Sequence, residues 1–205
     1  MRVNPLAFNH RKAYLIGFSE PADGLCQLEQ VDSHIEAAKT GLLTWGFLEE
    51  EVHVYRDQDM LPDFDVDEQS TIQTLGQDGK TLVYLYFKGH GQVAGRGQPF
   101  TGCLQGVNSM GTYNLEAFLA NIARDRNTHT IGFFDCCRRK KADCEMAFNP
   151  VLQSGDNIAV LYRETAVVSE PGECSCTNGD EEKASEPLIA RFFQHLEKEQ
   201  RKRDE

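Results

Sequence analysis

The chain has 205 residues, with 21 Lys+Arg against 32 Asp+Glu and a formal net charge of −11. That length suits one domain with one substantial core, which needs no disulfide or metal to fold, and the acidity is unsuited to nonspecific binding of nucleic acid or anionic membrane. Apolar content of 40% excludes a disordered chain, and no apolar run approaches the roughly 20 residues of a membrane helix.

Taken in order, the predicted elements alternate between strand and helix. The opening MRVNPLAFNHRK has neither an apolar stretch nor a small-residue cleavage site, so no secretory signal is expected. Residues 13–18 (AYLIGF) read as a buried strand. Residues 31–47 carry Ile35, Ala38, Leu42, Leu43 and Trp45 at close to helical period, with Gly46 near the end. Residues 52–55 form a short strand, followed by an acidic segment, DQDMLPDFDVDEQ, read as a solvated loop. One or two helical turns are predicted at 70–75, broken by GQDG. TLVYLYF at 81–87 is rich in β-branched and aromatic residues and predicts a strand. The stretch through Gly111 is dominated by glycine and polar residues. Asn114 is suited to cap a helix over 115–124, with Glu116 in its first turn. Strands follow at 130–134 and 158–162, and a last helix runs from about 186 to 198 with Pro187 in its first turn.

This alternation predicts a mostly parallel sheet of about five strands with helices on both faces. The whole of 1–205 reads as one domain with its core over 13–198, a long polar loop at 170–185 and a charged tail at 199–205 that frays. The seven cysteines, at 26, 103, 136, 137, 144, 174 and 176, are odd in number and irregular in spacing. They predict reduced thiols and a cytoplasmic location. Zinc is not expected, because Cys136 and Cys137 are adjacent and Cys174-x-Cys176 lacks a CxxC partner. No cofactor is expected either.

Chemistry in open α/β sheets gathers at the carboxyl ends of strands. TLVYLYF runs directly into Lys88-Gly89-His90-Gly91, and TIGFF into Asp135-Cys136-Cys137-Arg138. A His and a Cys at the tips of neighbouring parallel strands meet the needs of a nucleophile pair, with the imidazole placed to take the thiol proton. A nucleotide-binding reading of Gly89-His90-Gly91-Gln92-Val93-Ala94 fits G-x-G-x-x-G/A. It fails because the sequence continues as GRGQPF and opens no helix to receive a phosphate.

The segments YLYFKGHG and TIGFFDCCRRK resemble the histidine and cysteine motifs of the caspase-like cysteine peptidases. Asp135-Cys136-Cys137-Arg138-Arg139 fits the paracaspase form D-x-C-R-[KR] better than the metacaspase D-x-C-H-S or the caspase Q-A-C-R-G. The resemblance implies a three-layer α/β/α sandwich and an endopeptidase cleaving after Arg or Lys, acting on proteins or peptides without a cofactor. It implies His90 as general base, Cys137 as nucleophile and the N–H groups of Gly91 and Cys137 as oxyanion hole. It makes Asp135, and Asp32 early in the first helix, the acids of the first specificity pocket, where two carboxylates suit a guanidinium. A third pocket acid would be Glu164, Glu170 or Glu173, which the sequence does not separate.

There are departures from the family pattern. No Asp or Glu occurs from Gly91 through Leu115, where metacaspases carry an acid-rich stretch tied to calcium, so no calcium site is expected. The helix and antiparallel strand used for dimerisation in caspases and paracaspases have no counterpart after the last predicted helix, which favours a monomer or weak dimer. The basic run from Arg138 to Lys141 is a self-cleavage site, a source of thiolate stabilisation, or a solvated loop. The alternative to a peptidase is a catalytically silent caspase-like scaffold or regulatory module.

Overall fold

Thr81–Phe87 does form a strand, and every residue of it is buried. A computed structural model describes residues 4–19, 28–57, 59–93, 104–108, 111–113, 115–139, 157–162 and 188–204. For His90, Gly91 and Cys137 the described part is the backbone. The other cysteines except Cys136, together with Asn114, Pro187, Lys140, Lys141, the three candidate glutamates and the 170–185 segment, lie outside the described residues.

The strands are β1 (His10–Gly17), β2 (Val52–Tyr55), β3 (Thr81–Val93), β4 (Leu104–Asn108), β5 (Gly111–Tyr113), β6 (Thr128–Arg139) and β7 (Ile158–Tyr162). Five of them run parallel in the order β2-β1-β3-β6-β7. β3 is paired with β1 only as far as Lys88, opposite Gly17. Beyond that point β4 takes over the vacated edge, antiparallel, from His90 to Val93, and β5 continues the hairpin. Glycine-rich composition hid this hairpin from the sequence reading, because the edge it completes exists only once β3 outgrows β1.

The helices are α1 (Val31–Trp45), α2 (Gln69–Asp78), α3 (Leu115–Ile122) and α4 (Leu188–Asp204). Alternate residues of the central strands point to opposite faces. Leu82, Tyr84, Tyr86, Ile131 and Phe133 pack with Ile35, Leu42, Trp45, Ile189 and Phe193 of α1 and α4. Val83, Leu85, Phe87 and Phe134 pack with Ile72 of α2 and Leu115, Phe118 and Ile122 of α3. The result is the mostly parallel α/β/α sandwich that the element order predicts, its five parallel strands extended to a seven-stranded sheet by the β4–β5 hairpin. No helix among the described residues is long and apolar enough to cross a membrane.

α1 ends where glycine demands it. Gly46 has φ +112°, its N–H bonds the Leu43 carbonyl, and the Phe47 N–H reaches back to the Leu42 carbonyl. This is a Schellman cap, and Phe47 and Leu42 share the same core cluster as the motif favours. At Gly41, α1 presses on α4 so closely that a Cβ would lie 2.1 Å from the Phe193 ring.

Two further expectations are corrected. The acidic segment is not wholly a solvated loop: Phe64–Glu68 coils into a wide helical turn that leads into α2. Phe64 is buried against Tyr14 and Phe118. Glu68 accepts from Lys12 Nζ at 2.6 Å and from the Tyr14 hydroxyl, so the segment is held by one aromatic anchor and one charged one. The last helix does not stop near 198 but continues to Asp204.

Candidate functional site

The carboxyl ends of β3 and β6 stand side by side beyond the last paired residue of β1. Their parallel register sets Lys88 opposite Asp135, Gly89 opposite Cys136, His90 opposite Cys137 and Gly91 opposite Arg138. Paired positions on adjacent strands lie about 4.8 Å apart. His90 and Gly91 are held on their other edge by Val107 and Gly106 of β4. The backbone that carries the His and Cys motifs is therefore clamped on both sides. Cys136, on the α2/α3 face, is buried among the core residues of that layer.

Two positions back from the His90–Cys137 pair lies a buried polar cluster. Asp135 is 1% exposed, and three donors converge on its Oδ2. These are His34 Nδ1 at 3.2 Å, the Tyr86 hydroxyl at 3.2 Å and Lys88 Nζ at 3.4 Å. A carboxylate only accepts, so His34 carries its proton on Nδ1. Lys88 and His34 are themselves buried. A charge taken this far from water survives only when paired and hydrogen-bonded, and Asp135 is both.

Asp32 lies in a different environment. Its side chain is 82% exposed and its carboxylate meets Arg56 Nε at 2.9 Å. Arg56 also binds Glu36, one helical turn on, so the two acids and the arginine form an outer clamp between α1 and the end of β2. The structure thus does not bring Asp32 to Asp135. Asp32 and His34 are two residues apart on a helix, which turns them about 200° from one another, and it is His34 that reaches the sheet. The sequence did contain that signal: His34 sits three residues after Val31 and four before Ala38, on the apolar stripe. Lys88 was legible in the same way, as a charge that continues the alternation of Leu82, Tyr84 and Tyr86 into the core.

A second, part-buried network surrounds Glu68 on the opposite face. Burial works to raise the Glu68 pKa, but hydrogen bonds from Lys12 and Tyr14 outweigh it and hold the carboxyl below its ordinary range. Burial, then the hydrogen bond to Glu68 and its charge, pushes the Tyr14 phenol far up. His53, stacked on Tyr14, is lowered by burial and by Lys12. A cavity of about 380 Å³ lies along the α1–α4 seam, lined by Gly41, Trp45 and Phe193 among others, and none of its lining residues is on β3 or β6. Among the described residues no cluster of His, Cys, Asp and Glu has the makings of a metal site.

No family model and no curated protein matches the chain. Solved structures similar to it include pro-sf-caspase-1, at 13% identity and TM-score 0.42 over 76% of this chain and 56% of the other. They also include a structural-genomics crystal structure of a protein from Geobacter sulfurreducens, at 16% identity and TM-score 0.37 over 62% of this chain and 50% of the other. The chain spans about half the length of each. Similarity at this level says nothing of activity or substrate.

Proposed function

We propose that the chain is a cysteine endopeptidase of the caspase-like kind, cleaving after Arg and less well after Lys, with Cys137 as nucleophile and His90 as its acid–base partner. The register of β3 and β6 is the observation that carries this reading, since it sets the two residues opposite one another at the carboxyl end of a parallel sheet. In this chemistry the Cys137 thiolate attacks the scissile carbonyl. The C–N bond then breaks, the leaving amine takes a proton from His90, and a thioester remains. Water activated by His90 hydrolyses the thioester, releasing the acid and restoring the thiol. The N–H groups of Gly91 and Cys137 would hold the oxyanion. Both residues stand in ladder positions, opposite Arg138 and His90, so that role requires those donors to be turned toward substrate. Asp135 is the pocket acid for the basic side chain. The cytoplasm, where the thiols stay reduced, is the compartment that fits this chemistry.

The test is labelling of the purified full chain with a peptidyl-arginine chloromethyl ketone, followed by mass spectrometry, alongside hydrolysis of arginine-ending fluorogenic peptides. The expected result is one adduct on Cys137 and turnover that Cys137→Ala abolishes. Absence of both adduct and turnover would leave the catalytically silent scaffold as the function.

A further inference from the structure

The carboxylate assigned to substrate recognition already holds a cation from its own chain. Lys88 faces Asp135 across adjacent strands in direct register, with Nζ 3.4 Å from Oδ2, and both side chains are at least nine-tenths buried. The pair lies two residues short of the His90–Cys137 positions, about 7 Å back along the strands. With His34 and Tyr86 also donating to the same oxygen, Oδ2 of Asp135 is occupied without any ligand.

From this we infer that Lys88 is a specificity-determining residue of the site, a tethered cation that competes with a substrate guanidinium for Asp135. The inference rests on the reading that Asp135 lines the specificity pocket. A bare buried carboxylate becomes neutral as a pair when an arginine binds it, which is the source of cation selectivity. Here the count differs. Either Lys88 withdraws from Asp135 and that ion pair is broken, or two cations share the one carboxylate and repel one another out of water. Both routes oppose arginine. A neutral side chain of the same shape meets neither obstacle. Lys88 thus lowers the selectivity for charge while leaving the hydrogen-bonding shape of the pocket in place.

Arginine and citrulline separate charge from shape, because citrulline has nearly the same outline and no charge. Binding of acetylated tripeptide amides ending in either residue is measured by calorimetry on the full chain carrying Cys137→Ala, so that turnover does not interfere. With Lys88 present, arginine should be favoured over citrulline by less than tenfold. Adding Lys88→Met should raise that ratio at least tenfold, and adding Asp135→Asn as well should return it. General damage to the fold weakens both peptides alike and leaves the ratio unmoved. A ratio already above tenfold with Lys88 present, an unchanged ratio in Lys88→Met, or binding of neither peptide by any variant overturns the inference. Should Lys88→Met fail to fold, the first measurement decides alone. Turnover by the chain with Cys137 intact is scored separately, so absent hydrolysis with a shifted binding ratio defeats the peptidase reading and leaves the role of Lys88 standing.

Discussion

His90 and Cys137, 47 positions apart in the chain, occupy opposite places in the parallel register of β3 and β6. Nothing local brings them together. The placement follows from two strands that start in register at Thr81 and Thr128 and run without a bulge to Gln92 and Arg139. One residue of slip would set Cys136 opposite His90 and turn every side chain of β6 to the other face.

That register makes the first prediction. Cys137→Ala and His90→Ala should each reduce hydrolysis of arginine-ending fluorogenic peptides by about a thousandfold or more. Cys136→Ala should keep most of the activity and cost about 1 kcal/mol of stability, as a typical single core change does. A dead Cys136→Ala beside an active Cys137→Ala would move the nucleophile by one position.

The two carboxylates predicted from sequence should behave differently when neutralised. Asp135→Asn strips Lys88 of a buried partner, a loss of about 3–5 kcal/mol when one member of such a pair is removed. Denaturant unfolding should read that cost, and arginine peptides should lose most of their turnover. Asp32→Asn breaks a solvent-exposed contact with Arg56, of a kind worth about 0–1 kcal/mol, and should change turnover by less than about threefold. A hundredfold loss in Asp32→Asn would place that residue in the pocket after all.

Calcium should be dispensable. The stretch from Gly91 through Leu115 contains no carboxylate, and hard cations of this kind are held by several carboxylate and carbonyl oxygens. Turnover of an arginine-ending peptide should be the same in chelator and in calcium. A strict requirement for the ion would contradict the paracaspase-like reading.

Stability should fall on acidification in two stages. His53 and His129 titrate below their ordinary value of 6.5 in the folded chain, each lowered first by burial and then by a lysine. The unfolded chain therefore binds protons first, and stability drops as pH falls from about 6.5 through the folded pKa values. Glu68, lowered from 4.5, holds its contribution above that pH and loses it as pH falls through its own folded value. Chemical denaturation at a series of pH values should show both stages, and Glu68→Gln should flatten the second. A stability that rises on acidification would contradict the assigned contacts.

Gly41→Ala should loosen the α1–α4 layer. The new methyl would meet the Phe193 ring at 2.1 Å, so helix or ring must move. Overpacking of this kind costs about 1–3 kcal/mol, which outweighs the helix-propensity gain of about 1 kcal/mol for alanine over glycine. An unfolding midpoint at or above that of the unaltered chain would show that α4 can shift freely.

The sequence by itself determined the order of the five parallel strands and the helices, because residues 13–18 and 81–87 are unbroken apolar runs and α1 carries the helical period of 3.6. It also placed His90 and Cys137 toward the carboxyl ends of their strands, since the polar motifs follow directly on apolar runs, although β3 and β6 run on past them to Val93 and Arg139. It did not determine the β4–β5 hairpin, whose residues have no apolar alternation and pair only because β3 extends past β1. Nor did it determine the environment of the acids. Asp32 and Asp135 are the same residue type, and only the packing of α1 against the sheet sends one to Arg56 in solvent and encloses the other with Lys88, His34 and Tyr86. Contacts between residues as far apart as His34 and Asp135 depend on which faces meet, and that is decided by the assembled layers rather than by any local pattern.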